Sequence, residues 1–205
     1  MQWIIFAGKG CKLEIYWFDE LTSTQEYLTE QLKNGSLQAP VCIACNKQTH
    51  GQGSRGRTWH NTKDALLFSF AISGNTLPVD LCKESASIYF MYLFKLYITE
   101  QAPECWFKWP NDIYVSEHKV GGAITSWIPS LNTYICGIGI NLTSNREFTG
   151  IEVKQSKQDI ISGYLALFQK PLSWKQIFSK FEVEFLQTKN SSVYRTVTEN
   201  HENVT

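Results

Sequence analysis

Residues 65–72, Ala-Leu-Leu-Phe-Ser-Phe-Ala-Ile, constrain this chain more than any other stretch. A nearly unbroken apolar run of that length reads as a strand covered on both of its faces. Such a strand needs neighbours on either side and layers above and below. Residues 12–18 and 41–45 read as two further strands, and 105–109, 113–115, 119–128 and 132–142 as four more. The last four are joined by connections too short for a crossover, so they are expected to run antiparallel. Helices fill the remainder. Ser23-Thr24-Gln25-Glu26 fits a capping box, and the helix it opens is expected to run to about Lys33, where Asn34-Gly35 ends it. Residues 84–99 are long enough for a buried helix. Helices are also expected over 158–168 and 173–186, the second with a Ser173-x-x-Gln176 cap. The expected architecture is α+β, a mixed, mostly antiparallel sheet flanked by helices. Residues 1–188 are expected to form one domain, and 189–205 a polar tail without period.

Charge narrows the function. Nineteen basic residues balance nineteen acidic ones, and the isoelectric point lies near 6.9. That argues against a protein whose main partner is nucleic acid. No apolar run approaches the roughly 20 residues that span a bilayer, and the apolar opening 1–6 lacks a basic start or a cleavage site. A cytoplasmic protein without a membrane partner is expected. Cys42 and Cys45 have the C-x-x-C spacing, but residues three apart on a strand point to opposite faces. No second pair follows at zinc spacing, so the six cysteines are read as buried free thiols.

Four segments stand out chemically. Gly51-Gln52-Gly53-Ser54-Arg55-Gly56-Arg57-Thr58-Trp59 combines three glycines, which let a backbone approach a ligand, with two guanidinium groups suited to phosphate or carboxylate. A solvated surface loop would have a similar composition. Lys108-Trp109-Pro110-Asn111-Asp112 sets a cation and a carboxylate at one strand end, although a plain turn with a snorkelling lysine reads the same way. In His118-Lys119-Val120-Gly121-Gly122, two glycines just inside a strand suggest that something approaches the backbone. In Gly137-Ile138-Gly139-Ile140-Asn141, the two glycines share one strand face opposite two isoleucines. That pattern suits a core on one side and a flat ligand on the other, or a bulge or close strand packing.

The ordered set resembles the biotin protein ligases (biotin–acetyl-CoA-carboxylase ligases). That family shows a Ser-Thr pair before its first helix, a G-R-G-R-x-G-R loop, K-W-P-N-D, a lysine before a glycine-containing strand, and G-x-G-x-N. Here the counterparts are Ser23-Thr24, Gly51 to Arg57, Lys108 to Asp112, Lys119 to Gly122, and Gly137 to Asn141. The resemblance implies a catalytic domain related to class II aminoacyl-tRNA synthetases and lipoate ligases, which forms biotinyl-5'-AMP and passes biotin to a lysine. It implies that Ser23, Thr24 and Gln48 hold the ureido ring. Gly51, Gln52, Gly53, Arg55, Gly56, Trp59, Gly121, Gly122, Gly137 and Gly139 would complete the biotin site. Lys119, Arg57 and Lys108 would be catalytic, with Arg55, Arg57, Trp59, Lys108, Asn111 and Asn141 toward ATP. Asp112 would meet Mg²⁺. The implied partners are ATP, biotin and the biotin carboxyl carrier domain of acetyl-CoA carboxylase, with a homodimer plausible.

The chain departs from that pattern in places. Two loop positions, usually Arg in the family, are Gln52 and Ser54 here. Fewer cations should release biotinyl-adenylate faster than in a relative with both arginines. Equal dissociation rates in a stopped-flow comparison would contradict this. A first strand near Lys12 leaves no room before it for the helix-turn-helix of DNA-binding relatives, so no DNA partner is expected. The family's small SH3-like C-terminal domain is expected to be absent or truncated. The rival readings are a lipoate–protein ligase of the same fold, a non-enzymatic regulator that binds a small carboxylate, and a nucleic-acid-binding module, which the neutral charge disfavours.

Overall fold

The computed structural model describes residues 2–8, 11–59 and 62–190; the side chains of residues 2–8, 11, 12 and 55 lie outside that description. Of the tail expected over 189–205, residues 191–205 likewise fall outside it. Strands β1 (Gln2–Gly8) and β2 (Cys11–Leu21) form an antiparallel hairpin, with Ile4 opposite Ile15. The strand expected to be first is therefore second. The short opening run, too brief to span a bilayer, extends the sheet by one strand instead.

Helix α1 (Thr24–Lys33) follows and carries the chain back, so that β3 (Val41–Gln48) lies parallel to β2. Ser23 caps α1 by accepting from the Glu26 N–H, and Asn34 ends it ahead of Gly35 at φ +79°. The expected capping box is only half made, because the Glu26 carboxylate accepts instead from Gln52 Nε2. The glycine-rich loop is a small hairpin of β4 (Gly51–Gln52) and β5 (Thr58–Trp59) around a 3-10 turn. Then come β6 (Ala65–Ser73), α2 (Ala86–Ile98), β7 (Cys105–Lys108), β8 (Asp112–Val115), β9 (His118–Ile128), β10 (Thr133–Asn141), α3 (Lys157–Ala166) and α4 (Trp174–Thr188). The expected Ser173/Gln176 capping box opens α4.

The main sheet has the order β1-β2-β3-β6-β10-β9-β8-β7. Among the described residues only β2 and β3 pair in parallel, as a mixed, mostly antiparallel sheet requires. β6 lies inside it, with residues 65–72 all buried. On one face α2, α3 and α4 close an aromatic core. Phe70 packs on Phe90 at 5.4 Å and Tyr164 at 5.7 Å, and the Tyr164 hydroxyl donates to the Phe90 carbonyl. Edge-to-face pairs of this kind add about 0.5–1.5 kcal/mol each beyond burial. On the other face α1 lays Leu28 and Leu32 against Val41, Ile43, Ala71 and Ile135, and leaves the rest of that face open to the site.

Strand alternation separates the C-x-x-C pair as expected: Cys42 joins the aromatic core, and Cys45 packs with Ala65 and Leu67 on the opposite face. Burial pushes the Cys45 thiol up to about 12. Cys82 breaks the pattern. It is exposed, because it sits in the turn before α2 and not on a strand. Among the described residues no group of three or more His, Cys, Asp or Glu could hold a metal, and no helix is long and apolar enough to cross a membrane.

Candidate active site

The strand register assembles the site in rows. Lys108 lies opposite Asp112, Asp112 opposite Gly122, Gly122 opposite Gly139, and Gly139 opposite Leu67. Residues directly opposite one another across a ladder share a face, so this row crosses the sheet on the side away from the aromatic core. The next row on that side holds Ile124, Gly137 and Ser69. The intervening row, Ala123, Ile138 and Phe68, and the row on the other side of the first, Phe107, Ile113, Gly121, Ile140 and Leu66, belong to the core face.

Over the first two rows lies a small cavity of about 40 Å³, below the roughly 300–1,000 Å³ of small-molecule sites. Its lining includes Ser23, Thr24, Gln48, Gln52, Gly53, Trp59, Asn111, Asp112, Lys119, Gly122, Gly137 and Gly139, all singled out from the sequence. The glycines form its floor. A Cβ on Gly139 would stand 2.8 Å from the Trp59 ring, and one on Gly137 2.7 Å from Gln25 Oε1 and 2.9 Å from Ser69 Oγ. Any side chain there would displace what now covers the floor.

One end of the cavity is polar and closed. Gln48 Oε1 accepts from the Thr24 backbone N–H at 2.7 Å and from its hydroxyl at 3.1 Å, and Thr24 Oγ1 meets Ser69 Oγ at 2.8 Å. Gln25 Nε2 donates to Ser126 Oγ at 3.2 Å, while its buried Oε1 has no hydrogen-bond partner among the described residues. Trp59 Nε1 is buried and unpartnered in the same way. Buried polar atoms left unpaired are costly, and two of them lining one cavity suit a polar ligand.

The other end is charged. Lys119 Nζ pairs with Asp112 Oδ1 at 2.7 Å and stands 5.6 Å from the Trp59 ring centre. Lys108 Nζ lies over the Tyr114 ring at 5.1 Å. Burial holds the Lys108 ammonium below its ordinary value of 10.5; Asp112 opposes that shift, while Lys119 and Arg57 add to it. Three cations and one carboxylate thus act on one another at the end of β7 and the start of β9.

Arg55 apart, six of the sequence-derived positions lie outside the lining. Gly121 turns to the core, where a Cβ would fall on Ile140 Cδ1. Asn141 is buried and braces loops: its Oδ1 accepts from the Thr62 N–H at 3.3 Å and its Nδ2 donates to the Thr149 carbonyl at 3.4 Å. Gly51 and Gly56 serve the hairpin itself, Gly56 with φ +72°. Arg57 is exposed, and its Nε donates to the Ser54 carbonyl at 3.4 Å. Lys108 stands beside the lining. The Arg55 side chain is outside the described residues. Asn111 lines the cavity while donating to the Ala123 carbonyl at 2.6 Å.

Sequence reasoning passed over Gln25, Ser69 and Ile124, which also line the cavity. Ser69 had a readable signal, as the lone hydroxyl in the apolar run 65–72.

The family model described as the Biotin/lipoate A/B protein ligase family matches residues 17–142. A crystal structure of the biotin acetyl coenzyme A carboxylase synthetase of Helicobacter pylori, with bound biotinylated ATP, is 37% identical. The match covers 85% of this chain and 82% of that one, at a TM-score of 0.81. The biotin protein ligase of Aquifex aeolicus, in complex with biotin and ATP, shares the fold at 23% identity and a TM-score of 0.64, over 83% of this chain and 77% of that one. Among curated relatives, chloroplastic biotin–protein ligase 1 of Arabidopsis thaliana is 24% identical over 90% of this chain and 55% of its own length. The bifunctional ligase/repressor BirA of Bacillus subtilis is 26% identical over 65% of this chain and 43% of its own. The chain spans about half the length of the curated relatives it matches.

Proposed function

This chain belongs to the biotin/lipoate A/B protein ligase family, and from that premise we propose that it activates biotin with ATP and transfers it to a lysine of an acceptor protein. The observation that carries the reading is the pairing of Lys119 with Asp112 over the glycine floor, with a polar closed end beyond it. Residues 1–188 are the proposed catalytic domain.

The chemistry follows from charge. The biotin carboxylate and the ATP phosphates repel, and Lys119, Lys108 and Arg57 lower that repulsion where the two reactants meet. The carboxylate oxygen attacks the α-phosphate, pyrophosphate departs, and a mixed anhydride remains. The acceptor's amine then attacks the acyl carbon and AMP leaves. Lys108, whose ammonium form burial disfavours, is the proposed proton acceptor for that amine. Mg²⁺ would accompany the nucleotide and supply positive charge at its phosphates. Asp112, the one carboxylate of the lining, fits such an ion, since Mg²⁺ takes few protein ligands and fills the rest with phosphate and water. The proposed acceptor is a biotin carboxyl carrier domain.

The polar closed end favours biotin over lipoate. A ureido ring can meet the amide and hydroxyl groups of Gln48, Thr24, Ser69 and Gln25, whereas a dithiolane ring leaves them unpaired. Sites built for hydrogen bonding reject analogues that lack them by about 10⁴-fold or more.

The test is acid-dependent ATP–pyrophosphate exchange with biotin, lipoate and octanoate, on the wild type and Lys119→Ala. Exchange with biotin alone, reduced by about 10²-fold or more in the variant, is expected. Exchange with lipoate moves the chain to the sister activity, and exchange with none leaves a binding protein.

A further inference from the structure

We propose that Glu184 on α4, outside the cavity and outside the family-matched segment, is a positioning residue that holds β7 so that Lys108 meets the charged end of the site. This rests on the reading of Lys108 given above.

Among the described residues β7 is an end strand of the sheet and pairs only with β8. Strands at an edge carry N–H groups that no neighbouring strand satisfies. At Phe107, the residue before Lys108, the N–H donates to Glu184 Oε1 at 2.6 Å. The second carboxylate oxygen accepts from Lys95 Nζ at 2.7 Å and from the Tyr92 hydroxyl at 2.9 Å, both on α2. One carboxylate therefore ties α2, α4 and the strand that ends in Lys108.

Its surroundings show why geometry is at stake. The Lys95 and Glu184 side chains are only 11% and 14% exposed. A buried pair of this kind adds little to stability over an apolar pair of the same shape. What it supplies is a directional acceptor at one backbone N–H. Tyr92 and Phe181 pack on Phe107 and hold the strand against the core, and pairing with β8 sets its register, while the Glu184 carboxylate anchors the backbone next to Lys108. Lys108 shares its row with Asp112 and lies in the field of Lys119 and Arg57. A displacement of about 1 Å at a reacting group can cost of the order of a hundredfold in rate.

Two double variants isolate the contact. Glu184→Gln with Lys95→Met removes both charges and keeps an oxygen for the Phe107 N–H. Glu184→Leu with Lys95→Met removes the oxygen as well. In biotin-dependent pyrophosphate exchange, the Leu/Met protein should show a KM for ATP raised about tenfold, with the KM for biotin within about twofold of wild type. The Gln/Met protein should remain near wild type in both. Equal behaviour of the two, or ATP and biotin constants moving together, overturns the proposal. If the Leu/Met protein does not fold, Glu184→Asp replaces it, since it keeps the charge and shortens the reach; an unchanged KM for ATP there overturns the proposal. Absence of exchange in the wild type defeats the functional reading instead. The positioning role is then read by NMR of the full chain: the Lys108 ε-methylene resonances should shift in Leu/Met or Asp proteins and not in Gln/Met, and identical spectra overturn it.

Discussion

On β10, Ile138 and Ile140 are buried against the aromatic core, while Gly137 and Gly139 on the opposite face form the floor of the cavity. The same alternation runs through β9, where Gly121 faces Ile140 and Gly122 faces Asp112 and Lys119. One set of strands thus carries two chemistries with different tolerances. The core face is filled by interlocking rings, where lost volume is felt as lost stability. The site face is built of missing side chains and spare polar atoms, where added volume is felt as lost binding.

Phe70→Ala probes the core face most severely. Phe70 touches Phe68, Phe90, Tyr164 and Phe168, and removing its ring should cost about 3–5 kcal/mol in urea unfolding. The fraction that stays folded should bind biotin as wild type does. A variant that kept its stability and lost affinity would break the division between the faces.

The paired variants Gly121→Ala and Gly139→Ala sharpen it. A methyl at Gly121 falls on Ile140 Cδ1 and 2.9 Å from the Gly139 carbonyl, so a stability loss of about 1–3 kcal/mol is expected with modest change in affinity. A methyl at Gly139 meets the Trp59 indole, which rides on a two-residue hairpin strand and can move aside. Biotin affinity by calorimetry should fall there while the unfolding free energy stays within about 0.5 kcal/mol. The reverse pattern would mean that the faces are assigned wrongly.

Lys108→Met should give the smallest effect on stability. The folded state holds the Lys108 pKa below its ordinary value of 10.5, so folding disfavours its proton. Wild-type stability should then rise, relative to the variant, as pH climbs from neutral toward 10.5, because the unfolded chain binds more protons across that window. Melting temperatures of the two proteins should converge as the pH is raised, with the variant ahead at neutral pH. Divergence instead would mean that Lys108 is held by favourable pairing.

Much of this was legible in the residues. The apolar run 65–72 marked the interior strand, and the short connections after Cys105 forced antiparallel pairing. The glycine alternation at 137 and 139 pointed to a bare face, and the cations were found as residues. The adjacent glycines 121 and 122 looked equivalent until the pairing with β10 put them on opposite faces. Asn141 looked like a ligand contact because it ends a motif, yet its amide is spent on loop backbone. β1 went unread because its apolar run carries no alternation that distinguishes a strand from a leader.

The residues by themselves determined which segments extend and which coil, since hydrophobic period and capping act over a few neighbouring positions. They also marked two lysines and two arginines as candidates for meeting an anionic ligand. Tertiary structure alone decided which of them meet. Ser69 stands opposite Gly137, and Gly122 opposite Gly139, only because β6, β10 and β9 hydrogen-bond in one register. A slip of one residue would exchange the two faces, and that choice belongs to the packing of the whole sheet.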